Sequence, residues 1–255
     1  MFKRKGIGEQ GVPGRRSKAY SSHGADVRPL STGHGLNLVG AIFAAADRGA
    51  RVEGKLIDFR PEDLRGSLRR GTESNLIIFV VDASGSMSAR DRLASVTGAV
   101  LSMLRDAYQR RDKVAVVSVR GTAPELVLPP TGSIDVAVRR LHNVVTKRGR
   151  TPLGEGLLLA HDVIRREHVK EPGRRALLVV LSDGRATGAS GLAGSRSAAR
   201  LIARNGLAGS VVIDCEKPGR VRLGLAQELA AHLEGICIQL KEVNADSVAG
   251  VIDAV

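Results

Sequence analysis

Asn75 to Met87 reads NLIIFVVDASGSM, and this stretch decides how the rest of the chain is read. Leu76 to Val81 are six consecutive apolar residues, mostly β-branched or aromatic. A run of that length without alternation fits a strand covered on both faces in the middle of a parallel sheet. At its end the chemistry changes. Asp82, Ser84 and Ser86 follow at alternate positions, separated by Ala83 and Gly85, so a tight loop can turn three oxygen groups toward one point. Asp and Ser beside Gly also build ordinary turns and helix N-caps, so on these residues alone a site for a hard cation and a plain turn both stand open.

The 255 residues are enough for one sizeable α/β domain with appendages, and 43% hydrophobic content supplies a core. Aromatics make up only 2% and Trp is absent, which makes that core aliphatic and removes the stacking platforms that single-stranded nucleic acid needs. Lys and Arg outnumber Asp and Glu by 39 to 26, a formal net charge of +13. Such an excess suits an anionic partner. The basic residues are, however, dispersed as Arg-Arg pairs rather than gathered into runs, and they read as solvated faces, which argues against a nucleic-acid partner.

Cys215 and Cys237 lie in or beside apolar strand-like segments, far from each other and from any spaced His. They read as buried free thiols of a reducing compartment rather than zinc ligands. No apolar run reaches membrane-spanning length, and Leu36–Ala46 sits behind too many polar and basic residues to be a signal-peptide core. A cytoplasmic protein is expected.

Residues 1–35 are rich in Gly, Ser, Arg and Lys without a hydrophobic period, and are expected to form a basic, flexible tail. Residues 36–74 are read as a connector: a short helix at Leu36–Ala46, a strand at Lys55–Phe59, and a helix opened by Pro61, Glu62 and Asp63 and closed by Arg69 and Arg70. From Asn75 to the C-terminus strand and helix patterns alternate. An amphipathic helix over Leu93–Ala107 is followed by strands at Lys113–Val119 and Glu125–Leu128, the second close enough to be an antiparallel edge hairpin. Helices then start near Ser133 and Thr151. Further strands at Ala176–Leu181, Ser210–Asp214 and Ile236–Leu240 are separated by helices at Ser195–Arg204 and Leu223–Leu233, with a terminal helix from Asp246. This order specifies a doubly wound, mostly parallel six-stranded sheet flanked by helices, with one antiparallel edge strand.

In such sheets ligands sit beyond the carboxyl ends of the strands. Three loops are expected there: Asp82-Ala83-Ser84-Gly85-Ser86, Thr151-Pro152, and Ser182-Asp183-Gly184. They offer carboxylates and hydroxyls with no His or Cys, an all-oxygen set that suits Mg²⁺ or Mn²⁺ and leaves a coordination position for water or an incoming carboxylate. His142, His161 and His168 fall in helical patterns and read as surface residues, so nothing supplies a nucleophile with its base. The site is expected to bind rather than catalyse.

D-x-S-x-S, a later T-P and a later strand-end D-G together resemble the metal-ion-dependent adhesion site of the von Willebrand factor A, or integrin I-like, fold. The resemblance implies that Ser84 and Ser86 bind the ion directly, Thr151 directly or through water, and Asp82 and Asp183 mainly through water. A narrower resemblance rests on RDAYQRRDKVAVVSVRG, ELVLPPTGSIDVAVRRL, GRTPLGEGLLLAHDVI and VVLSDGRATG, which look like the C-terminal part of the magnesium chelatase D subunit and its cobaltochelatase relatives. GVPGRRSKAY and EDLRGSLRRG look like the connector that precedes it. This implies a complex in which an AAA+ ATPase subunit and a large porphyrin-binding subunit insert metal into a tetrapyrrole, with docking through a partner's acidic residue at the metal site. The sequence contains no G-x-x-x-x-G-K-[ST] phosphate loop, so ATP is expected to bind to a partner. An adaptor of the same fold serving another, MoxR-type AAA+ ATPase is the alternative.

Overall fold

The computed structural model describes residues 13–21, 24–54, 56–82, 112–141, 149–216 and 223–239. The predicted helices at 93–107 and from 246 onward lie outside these residues. From the N-terminus the chain forms β1 (Pro13–Ser21), β2 (Ala25–Leu30), α1 (Leu38–Asp47), the short strands β3 (Val52–Glu53) and β4 (Leu56–Ile57), a single 3-10 turn at Pro61–Asp63, and β5 (Gly66–Glu73). There follow β6 (Asn75–Asp82), β7 (Lys113–Arg120), β8 (Ala123–Thr131), α2 (Ile134–Leu141), α3 (Leu153–Lys170), β9 (Arg175–Ser182), α4 (Gly191–Asn205), β10 (Ala208–Asp214), α5 (Leu225–His232) and β11 (Ile236–Gln239).

The last six strands make one sheet in the order β11-β10-β9-β6-β7-β8. All neighbours are parallel except β8, which runs antiparallel to β7 at the edge. The reading of Leu76–Val81 as a doubly covered strand is thereby explained. Leu76, Ile78 and Val80 join a core layer with Leu153, Leu157 and Ile164 of α3 and Ile202 of α4. Ile77, Phe79 and Val81 face the other side, with Ala137 and Leu141 of α2. Side chains alternate across a strand, so a strand with two apolar layers reads as a continuous apolar run.

Helix α3 approaches the sheet closely because Gly156 lies against Val119: a Cβ at Gly156 would overlap the Val119 side chain. Farther along, Glu167 and Glu171 hold Lys113 at the start of β7, with Nζ–Oε2 distances of 3.0 and 2.7 Å. Arg174 joins Glu171 to Ser74, donating from Nε at 2.7 Å and from Nη1 at 2.7 Å respectively. These bonds fasten α3 at the end of the sheet opposite Asp82.

Three expectations are corrected. Residues 13–21 and 25–30 are strands, paired antiparallel with β5 in the order β1-β5-β2. Their order comes from backbone pairing, which leaves no hydrophobic period: β2 is exposed at five of its six positions. The predicted helix over Pro61–Arg70 is one 3-10 turn leading into that sheet. Asp63 turns inward to accept Arg48 Nε at 2.9 Å and the Arg60 amide at 2.8 Å, and Gly66 passes so close to Gly33 that a Cβ would strike its backbone. His161, expected on the surface, is buried, its Nε2 2.7 Å from Asn205 Nδ2 at the end of α4, and burial lowers its pKa. His142 lies outside the described residues, and His168 is half-buried. The short helix at Leu36–Ala46 forms as α1, with Gly40, Ala41 and Ala45 buried.

Two outcomes test this packing. Gly156→Ala forces Val119, stiff at χ1, out of place, and is expected to cost about 1–3 kcal/mol, read from the urea midpoint at unchanged m. Arg174 first, and Lys113 with it, hold the Glu171 pKa near 2, against an ordinary 4.5. That contribution is therefore present above the unfolded value and fades as pH falls from about 4.5 toward 2. Glu171→Gln is expected to lower stability at pH 7 and to flatten its fall with acid, measured by denaturant titration across that range.

Candidate metal centre

Asp82 is the last residue of β6, Ser182 the last of β9, and the two strands are neighbours in register at Val81 and Leu181. Parallel pairing therefore brings both side chains to the same sheet edge. The Ser182 hydroxyl donates to Asp82 Oδ2 at 3.5 Å and accepts the Gly184 amide at 3.1 Å. Gly184 has φ +79° and faces the start of α5, where a Cβ would run into the Leu225 carbonyl carbon. Both conditions require glycine there. The turn aims Asp183 outward, with Oδ1 accepting the Arg185 amide at 3.0 Å and Oδ2 lying 3.5 Å from Arg185 Nε.

Thr151 is buried just ahead of α3, and a set of backbone bonds ties it to the loop that follows Asp183. Its amide donates to Thr187 Oγ1 at 2.8 Å. Its carbonyl accepts from Leu153, Thr187 and Gly188 at 2.9, 3.1 and 3.0 Å. The loops carrying Thr151 and Asp183 are consequently one unit, although they are far apart in the chain. Asp82, Thr151 and Asp183 are placed at this edge, while Ser84 and Ser86 lie outside the described residues.

Two carboxylates at the edge escaped the reading of the sequence. Asp214, at the end of β10 opposite Ser182, is buried and accepts the Glu216 amide at 2.8 Å. Glu155, in the first turn of α3, accepts the Ser190 amide on Oε1 at 3.2 Å, while its Oε2 is buried with no partner among the described residues. The spacing T-P-x-x-E offered a signal for Glu155, since four residues return a helix to the same face. The donor set is oxygen throughout, which fits a hard divalent cation, and the buried Glu155 oxygen at the start of the same helix fits a bound water or ion. Among the described residues no three His, Cys, Asp or Glu side chains converge closely enough to hold a metal ion by themselves, so the hydroxyl-bearing residues have to complete the set. Cys215 is buried and Cys237 half-buried, neither of them in a disulfide, and burial first and then Asp214 raise the Cys237 pKa.

No helix among the described residues is long and apolar enough to cross a membrane. Gly49 to Lys55 matches the first part of a phosphate-loop pattern, but Leu56 stands where Ser or Thr is needed. Gly54 moreover lies between β3 and β4 rather than at the head of a helix.

The von Willebrand factor type A domain profile matches residues 77–185. The chain is 50% identical over 246 residues to the uncharacterized protein Rv2850c of Mycobacterium tuberculosis, covering 94% of this chain and 38% of that one. It is 38% identical over 186 residues to the 60 kDa subunit of magnesium chelatase from Cereibacter sphaeroides, covering 71% of this chain and 32% of that subunit. It thus spans only 38% and 32% of the length of these two relatives. Among solved structures, BatB from Bacteroides thetaiotaomicron superposes with a TM-score of 0.53 at 24% identity, over 71% of this chain and 96% of that one. An aerotolerance-related membrane protein from Bacteroides fragilis does so with 0.55 at 22%, over 71% and 98%. These two share the fold. The chain carries a von Willebrand factor type A domain and is distantly similar to magnesium-chelatase subunits.

Proposed function

We propose that this domain is a divalent-cation-dependent docking module in a chelatase-type assembly that inserts a metal into a tetrapyrrole, working beside an AAA+ ATPase and a large porphyrin-binding subunit. The observation that carries the reading is the meeting of Asp82, Thr151 and the Ser182–Asp183 turn at one sheet edge, in a chain similar over 71% of its length to a magnesium-chelatase subunit. Mg²⁺, or Mn²⁺, would be held by Ser84, Ser86 and Thr151, with Asp82 and Asp183 acting mainly through water. The bound ion supplies a coordination position for a carboxylate from the partner.

The chain's own residues prepare that position. Asp82 and Asp183 gather negative charge at the edge, which is unfavourable until a cation offsets it. Ser182 orients Asp82. The Thr151 carbonyl holds the Asp183 loop in place, so ordering of one loop is transmitted to the other. Docking thereby becomes conditional on cation occupancy. ATP binding and metal insertion belong to the partners.

A second reading keeps the fold and the site but changes the pathway: an adaptor for a different, MoxR-type AAA+ ATPase. Identity does not choose between the two readings, being 50% to an uncharacterized protein and 38% to the chelatase subunit.

Asp82→Ala is expected to abolish Mg²⁺ binding by calorimetry and to leave the circular-dichroism spectrum unchanged. Pull-downs with Mg²⁺ and with EDTA should retain a chelatase ATPase and a porphyrin-type subunit only in the first, and only for the wild type. Undiminished Mg²⁺-dependent complex formation by the variant contradicts the docking role, and retention of an unrelated ATPase selects the second reading.

A further inference from the structure

Glu155 occupies an uneconomical position for a carboxylate. It stands one helical turn beyond Thr151, on the first turn of α3, beneath the turn formed by residues 187–190. Oε1 accepts the Ser190 amide at 3.2 Å, whereas Oε2 is shielded from solvent and has no partner among the described residues. Gly188 fills the gap between the two elements: a Cβ there would lie 2.6 Å from Pro152 Cα and 3.3 Å from Glu155 Oε2. The same turn delivers the Thr187 and Gly188 amides to the Thr151 carbonyl. A buried ionised oxygen without a partner is destabilising unless something positive or a bound water meets it. Such a group calls for a specific physical reason, and a bound water or ion is one.

We infer that Glu155 is a positioning residue for the divalent cation: its carboxylate clamps the 187–190 turn onto α3 and adds negative charge to the edge that carries Asp82, Asp183 and Asp214. The inference rests on the cation-dependent reading above. The clamp and the charge are separable because Gln preserves the carbonyl oxygen that accepts the Ser190 amide and removes only the charge. Outer groups that orient and polarise metal ligands commonly set affinity by about tenfold or more.

The test is calorimetric titration of wild type, Glu155→Gln, Glu155→Ala and Asp82→Ala with MgCl₂, alongside thermal unfolding in EDTA. Glu155→Gln is expected to unfold in EDTA at or above the wild-type temperature, because the orphaned charge is gone, and to bind Mg²⁺ about tenfold more weakly. Glu155→Ala is expected to lose both affinity and thermal stability. Wild-type affinity in Glu155→Gln, with binding abolished in Asp82→Ala, overturns the role of Glu155 and leaves the site standing. No Mg²⁺ binding by the wild type removes the site, and this inference with it.

Discussion

Strand β6 is hydrogen-bonded to β7 on one side and β9 on the other, and both of its faces are buried. That double constraint fixes the rest. Parallel neighbours on both sides require crossovers, which place α3, α4 and α5 over the layer of Leu76, Ile78 and Val80. The polar residue that ends β6 then has one place to be, the carboxyl edge of the sheet. Asp82 is there because the six residues before it leave no other exit.

From that edge the structure distributes work unevenly. One end of α3 is bolted to the sheet by Lys113, Glu171 and Arg174, and its middle is drawn in by Gly156. The other end packs Leu153 and Leu157 on the sheet and ties Thr151 to the 187–188 turn. Gly184, wedged against the start of α5, fixes the turn that carries Asp183.

Much of this is legible in the sequence where hydrophobic pattern and backbone order agree. The central strands, the antiparallel β7–β8 edge, and the helices of residues 134–205 follow from apolar runs, helical spacing and Pro or Gly punctuation. The N-terminal sheet does not, because β2 carries almost no buried side chain and is held by its backbone to β5. Propensity also misleads at residues 61–70: the acids after Pro61 suit a helix start, yet Asp63 is claimed by Arg48 and Gly66 by the approach to Gly33. At the edge, the residue types of Asp82, Thr151 and Asp183 are readable in one dimension. The Thr151–Thr187 bonds and the orphaned oxygen of Glu155 arise only when distant loops meet.

The central claim is that this edge holds a divalent cation. Crystals grown with MnCl₂ and measured near the manganese absorption edge test it most directly, since the anomalous signal reports the ion independently of any assumed ligand. The account predicts one strong peak at the carboxyl edge of the sheet, within coordination or water-bridged distance of Thr151, Asp82 and Asp183. A peak only elsewhere, or none at saturating Mn²⁺ with that edge well ordered, would contradict it.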